Sequence, residues 1–433
     1  MNKLKQWLGF DPAKSSLKVE LMAGFTTFLT MSYILAVNPN ILATTGMDKG
    51  ALFTATALSA AIATLLLAVM AKLPMAQAPS MGLNAFFAFT MCQAMGLTWQ
   101  QSLTVLLIEG ILFLLITVFK VRNLILYCIP TNLRYAISVG IGMFIAFIGL
   151  KNAGVIVADS ATYVKMGTFT PTAMLGLLSI VLSSLLMARR VKGSLFIAII
   201  ITSVVAVATG HVELPDNWSP VAMPQSIAPT FCQFDFSVLG NPKVIMIVIS
   251  LLLVNVFDSI GTILALADKL GIVRADGTIP HVNEAMLSDA IGTTCASMLG
   301  CSTISTYVES ASGVAEGGRS GVTSLVTGLL FVVAIFLSPI FLLIPSFATS
   351  GALVMVGVLM VNSFKRINFD DMSEAFPSFI TIITMVLCYS IADGISLGIL
   401  SYVFMKLFTG KWRQLNPTIC ILAVIFIINY AVR

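Results

Sequence analysis

Three stretches of this sequence hold residue types that could do chemistry inside an otherwise apolar chain. The first is Ala78-Pro79-Ser80-Met81-Gly82-Leu83-Asn84-Ala85-Phe86-Phe87, in which Pro79 and Gly82 disfavour continuous helix. Ala78 to Gly82 is therefore expected to be extended, with a helix starting near Leu83 or Asn84. Such a start leaves free backbone N–H groups at membrane depth, and a bound polar ligand is one partner for them. Asn84 offers both a donor and an acceptor, which suits the edge of a heterocycle. The competing reading is that it caps its own half-helix. In the second stretch, Cys301 to Arg319, a Ser/Thr-rich, β-branched front (Ser302 to Thr306) favours a short extended piece. Glu309 then falls in the first turn of the following half-helix, where the dipole favours a carboxylate. An acid at that depth is a functional candidate by default. Glu316, beside Gly317-Gly318-Arg319, reads as a structural pair with Arg319. In the third stretch, Leu253 to Thr262, helical spacing puts Asn255, Asp258 and Thr262 on one face. Asp258 is the sole acid between residues 236 and 267 and a candidate proton carrier. A structural hydrogen bond to a neighbouring span is its alternative role.

These stretches sit in a chain of 433 residues that is 58% hydrophobic and 10% charged, with a mean hydropathy of +0.99. A soluble domain carries about 25% charged residues to cover its surface. Lipid must solvate much of this one. The seven cysteines are scattered without a CxxC pair, and His211 and His281 are the only histidines, both in expected loops. Neither a metal site, a disulfide framework nor a His-based triad can be built from that inventory, no Walker A sequence is present, and nothing points to a cofactor or to nucleic acid. Gly140-Ile141-Gly142 lies inside a span and reads as close helix packing.

A span needs about 20 apolar residues, or fewer where neighbours shelter it. Spans are expected near 20–38, 51–72, 79–94, 100–119, 132–150, 171–189 and 194–210. A second set is expected near 242–267, 284–300, 302–317, 321–344, 348–363, 374–391 and 393–408. Thr418 to Val432 is either a further span or an interfacial segment. Lys and Arg favour the cytoplasmic side. With a cytoplasmic N-terminus at 1–19 (Lys3, Lys5, Lys14, Lys18), the inner loops carry Lys72, then Lys120, Arg122 and Arg134, then Arg189, Arg190 and Lys192. They continue with Lys269 and Arg274, Arg319, Lys365 and Arg366, and Lys406, Lys411 and Arg413. The external loop 211–240 holds Glu213, Asp216 and Asp235 and no Lys or Arg. Seven spans (20–210) before that loop and seven after it (241–408), followed by a segment at 409–433, must run in opposite senses. The expected fold is therefore an all-α polytopic membrane protein with about fourteen spans in a 7+7 inverted repeat. The third span of each half is short and interrupted, which points to a midplane binding site. In the first half, Thr26, Thr27, Thr30 and Ser32 are polar but not ionisable, so the acids are expected to be concentrated in the second half.

The three stretches, in this order, resemble the AzgA-like purine permeases of the nucleobase–cation symporter group, which includes the uracil and xanthine permeases. The likeness runs from Phe10-Asp11 and Gly24-Phe25-Thr26-Thr27-Phe28 to Lys411-Trp412. It implies a core domain of spans 1–4 and 8–11, a gate domain of spans 5–7 and 12–14, and a short strand in each of the third and tenth spans. It also implies a homodimer through the gate domains. On this resemblance Glu309 meets the nucleobase with Asn84 beside it, and Asp258 and Glu309 couple transport to protons. Asn255 stands where many relatives carry an acid, so an amide must serve there. Gly82, Thr306, Phe86 and Tyr307 complete the expected substrate site, with backbone amides near Gly82 to Asn84 and Thr306 to Glu309 assisting. Phe87 is a further stacking candidate. The expected activity is uptake of a purine across a bacterial inner membrane with H⁺, Na⁺ being the other candidate ion. The Gly-Leu-Asn form of the first motif looks more like guanine/hypoxanthine carriers than adenine carriers. The rivals are an anion carrier of the same architecture and a passive channel or non-transporting receptor.

Overall fold

The computed structural model describes residues 7–119, 129–215, 218–240, 243–273 and 279–432. Lys3, Lys5, Lys120, Arg122, Asp216 and Arg274 lie outside them. The first half opens with α1 (Leu17–Met31), whose N-cap Ser16 accepts the Val19 amide at 3.3 Å. The chain turns at Ser32-Tyr33 and continues as α2 (Ile34–Leu42), so the first apolar segment, Leu17–Thr45, is broken in its middle. Then follow α3 (Lys49–Met70), β1 (Gln77–Pro79), α4 (Met81–Ala85) and a π-helix over Phe86–Ala94. Next come α5 (Trp99–Val118), started by a Thr98/Gln101 capping box, and α6 (Thr131–Asn152). An antiparallel hairpin, β2 (Ile156–Asp159) and β3 (Tyr163–Met166), leads to α7 (Pro171–Ala188) and α8 (Ser194–Ala208).

The second half begins with α9 (Lys243–Leu270) and α10 (Val282–Leu299), then β4 (Ile304–Thr306), α11 (Ser310–Ala315) and α12 (Gly321–Ala334). It ends with α13 (Ser338–Leu342), α14 (Ser350–Val361), α15 (Met372–Leu387), α16 (Ile391–Phe408) and α17 (Pro417–Val432). Among the described residues nine helical segments are long and apolar enough to cross a bilayer, with three shorter apolar helices beside them. The protein is a mostly helical, multi-pass membrane protein. The segment at 418–432 falls within α17, which seats Ile419 and Phe426 against the protein and turns Ile421, Val424, Ile427 and Ile428 outward. The Tyr430 hydroxyl ties it to α16 by donating to Asp393 Oδ1 at 2.9 Å.

Two groups of helices flank the chemistry. In one, α3 packs on α10 and α12, α5 on α10, and α1 on α11 and α12. In the other, α6 packs on α14 and α15, α14 on α7, and α15 on α16. Gly142 does there what its sequence suggested: a Cβ on it would stand 2.9 Å from the Gly357 carbonyl oxygen, so only glycine lets α6 and α14 approach this closely.

Between the broken segments, β1 and β4 pair antiparallel, with Gln77 opposite Thr306, Ala78 opposite Ser305 and Pro79 opposite Ile304. The ladder extends through Ser80 N–H to the Thr303 carbonyl (2.8 Å) and Tyr307 N–H to the Ala76 carbonyl (2.9 Å). Backbone that leaves the helical state inside a membrane must find partners within the protein, and here each segment supplies the other's. The buried Gln77 side chain fixes the crossing. Its amide nitrogen donates to the Ala285 carbonyl (3.2 Å) and Thr306 Oγ1 (3.3 Å), while Ser288 Oγ donates to its oxygen (3.1 Å).

Candidate functional site

Glu309 follows β4 and stands at the start of α11, half-buried. The Tyr33 hydroxyl, from the break between α1 and α2, donates to Glu309 Oε1 at 2.6 Å. Beside it Thr30 Oγ1 lies 2.9 Å from Ser312 Oγ, and Ser312 donates to the Glu309 carbonyl at 2.6 Å. A cavity of about 160 Å³ opens here, between Thr30, Glu309, Ala311 and Ser312 on one side and Met187, Ser194, Leu195 and Leu359 on the other. It therefore lies between the two groups of helices.

Asp258, half-buried on α9, accepts from Ser80 Oγ at 3.1 Å, with the Ser305 hydroxyl beside it. Asp258 and Glu309 are within electrostatic reach of each other, and Tyr307 is near both. The Tyr307 hydroxyl donates to the Pro79 carbonyl at 2.5 Å, clasping the two broken segments together. Asn84 is wholly buried; its Oδ1 accepts from Ser302 Oγ, and its Nδ2 has no partner. Glu309, Asp258 and Tyr307 thus form one cluster at the strand crossing. Phe86 and Phe87 have no exposed surface, Gly82 packs where a Cβ would meet Ile141 at 2.7 Å, and Thr306 donates to Asp289 Oδ2 at 3.3 Å. Asn255 is wholly buried, does not line the cavity, and engages another acid: its Nδ2 donates to Glu109 Oε1 at 3.0 Å.

A family model described as a permease family matches residues 18–397. This chain belongs to that permease family. It is 45% identical over 431 residues to a putative permease of Methanocaldococcus jannaschii, covering 99% of this chain and 98% of the relative. It is 42% identical to the adenine permease AdeP of Escherichia coli, over 95% of this chain and 92% of the relative. Identity to the guanine/hypoxanthine permease PbuO of Bacillus subtilis is 37%, over 96% and 98%. Among solved structures, the transmembrane domain of the cyanobacterial bicarbonate transporter BicA superposes with a TM-score of 0.65 at 15% identity, covering 87% of this chain and 97% of that one. That last likeness is one of fold. The permease is a transporter and not an enzyme.

The permease departs from its sequence in four details. The helix after β1 starts at Met81 rather than near Leu83, because Ser80 alone completes the extended stretch. Two of the amides expected to be free are taken, Asn84 N–H by the Ser80 carbonyl (2.8 Å) and Tyr307 N–H by Ala76. Glu316 pairs with Lys192 and not with Arg319, whose guanidinium instead donates to the Val314 and Gly318 carbonyls at 2.7 Å each. The acids are not confined to the second half, since Glu20 and Glu109 are both wholly buried in the first. Glu20 accepts from the Arg319 amide (3.0 Å) and the Thr323 hydroxyl (2.5 Å).

Sequence reasoning missed Glu109, Asp289 and Tyr33. Glu109 carried a usable signal, being the one ionisable residue in Trp99–Val118, the same signal that drew attention to Asp258. Asp289 sits in a helix already rich in small polar residues, and Tyr33 meets Glu309 only through a fold that brings the break between α1 and α2 to the start of α11. No three His, Cys, Asp or Glu side chains among the described residues converge to hold a metal ion.

Proposed function

We propose that this permease imports a purine nucleobase, together with protons, across a bacterial inner membrane by alternating access, with its N-terminus in the cytoplasm. The observation that carries this reading is Glu309 at the strand crossing, on the wall of a cavity between two helix groups. A carboxylate held by Tyr33 can accept from a ring N–H of the base, and Asp258 nearby can carry a proton. The names of the relatives, adenine permease and guanine/hypoxanthine permease, supply the word purine. Between the two, the unpartnered Asn84 Nδ2 favours an oxopurine: a buried donor wants an acceptor, and a 6-oxo group is one. Phe86 and Tyr307 would line the base's approach, with Thr306, Gly82 and Asn255 supporting the shell around it.

Fourteen spans follow when α8, α15, α10 and the two broken segments are added to the nine long ones, with α17 standing apart. Strands at the third and tenth positions, paired antiparallel, suit two halves inserted in opposite senses. In this scheme spans 1–4 and 8–11 form a core that moves against a gate of spans 5–7 and 12–14, and the gate is where a second copy would dock. The cavity, close in size to the roughly 150 Å³ that takes one benzene ring, would have to widen to admit a two-ring base. An anion carrier fits the BicA-like fold but not an acid on the cavity wall.

Uptake of labelled hypoxanthine into vesicles containing the permease, challenged with adenine, guanine, xanthine and uracil, tests the reading. Guanine should compete best and uracil least. Equal competition by all four bases, or by none, would remove the purine assignment.

A further inference from the structure

Glu109 and Asn255 meet where neither has any exposed surface, at the contact between α5 and α9. Asn255 Nδ2 donates to one carboxyl oxygen of Glu109, and the other oxygen has no partner. Asn255 Oδ1 has none either. A deeply buried carboxyl oxygen and amide oxygen left unbonded are costly if they serve only as structure. The arrangement is economical for a group that changes protonation state. An ionised carboxyl needs a donor and a protonated one needs an acceptor, and a primary amide supplies either by turning over.

We propose that Glu109, read by the Asn255 amide, is a second proton-binding site of the permease, separate from the lining of the cavity at Glu309. This rests on the proton-coupled reading above and adds to it a site that does not touch the base. The charged groups facing it are acids. Asp258 shares α9 with Asn255, and Asp289 on α10 is within electrostatic reach of both Asp258 and Glu109. No Lys, Arg or His among the described residues pairs with Glu109.

A route from this site to the strand crossing is short. Thr303 lies beside Glu109 without closing a hydrogen bond to it, and its carbonyl holds the Ser80 amide at 2.8 Å. The Ser80 hydroxyl in turn donates to Asp258, and Ser302, next in the chain to Thr303, holds Asn84. A change of charge at Glu109 therefore reaches both polar anchors of the crossing through one residue.

The test counts protons taken up by the purified full-length protein on adding hypoxanthine, in weakly buffered solution with an indicator dye. Glu109→Gln should lower the count by about one per base bound while base affinity stays within about threefold, because the amide keeps the shape and one hydrogen bond. Asn255→Leu leaves the carboxyl without its reader and should move the pH dependence of proton uptake by about one unit or more. Identical, non-zero counts and pH profiles in the wild type and both variants would overturn this site alone. A wild type that binds hypoxanthine without taking up any proton would overturn the coupled reading, and this inference with it.

Discussion

The two broken segments cross as partners, yet they are built for different tasks. Gln77 to Phe89 is sealed throughout, its polar groups turned to other protein groups except for the Asn84 Nδ2: Gln77 to Ala285, Ser288 and Thr306, Ser80 to Asp258, and Asn84 Oδ1 to Ser302. It continues into a nine-residue π-helix, a geometry concentrated at functional sites. The segment after β4 is looser. Val308 is 51% exposed, Glu309 is half-buried, and α11 lasts only six residues before Gly317-Gly318. In the proposed reading the first segment is a frame and the second carries the acid that meets the substrate to the cavity wall. Two segments paired through one short ladder would then divide the work of the proposed site between them.

Glu309→Gln tests that division hardest. If Glu309 accepts from the base as proposed, replacing it removes a charge-assisted bond worth about 1.5–3 kcal/mol, or about ten- to hundredfold in apparent affinity. Concentrative uptake should also vanish if the same group carries the proton, as it should in Asp258→Asn; undiminished accumulation in both variants, at normal expression, would break the comparison. A smaller effect is expected in the frame. Asn84→Ala removes the unpartnered donor and leaves Ser302 without its acceptor, so hypoxanthine KM should rise by about five- to tenfold with adenine affected less. A change equal for both bases would make Asn84 purely structural. Tyr307→Phe should matter least to transport: losing the clasp on the Pro79 carbonyl costs about 1 kcal/mol, visible as a lower unfolding temperature with unchanged base preference.

How much of this was written in the sequence depends on whether a residue acts locally. Pro79, Gly82 and the Ser302–Thr306 run announce interrupted helix through their own backbone preferences, and Glu309 and Asp258 stand out because isolated acids in apolar runs are costly. Partnerships across the fold left no such trace. Glu316 finds Lys192 rather than the nearby Arg319 because Gly318 and Val314 offer carbonyls that a guanidinium can reach first. The π-helix over Phe86–Ala94 and the β2–β3 hairpin have no strong local signal, and Tyr33 reaches Glu309 only where the break between α1 and α2 meets the start of α11. Glu109 was legible and overlooked, since a long, well-capped apolar helix looks complete without its one acid.

A structure of the permease with hypoxanthine bound tests the central claim most directly. The account predicts the base at the crossing of β1 and β4, with a ring N–H within hydrogen-bond distance of the Glu309 carboxylate. A base bound elsewhere, with Glu309 still engaged only by Tyr33, would contradict it.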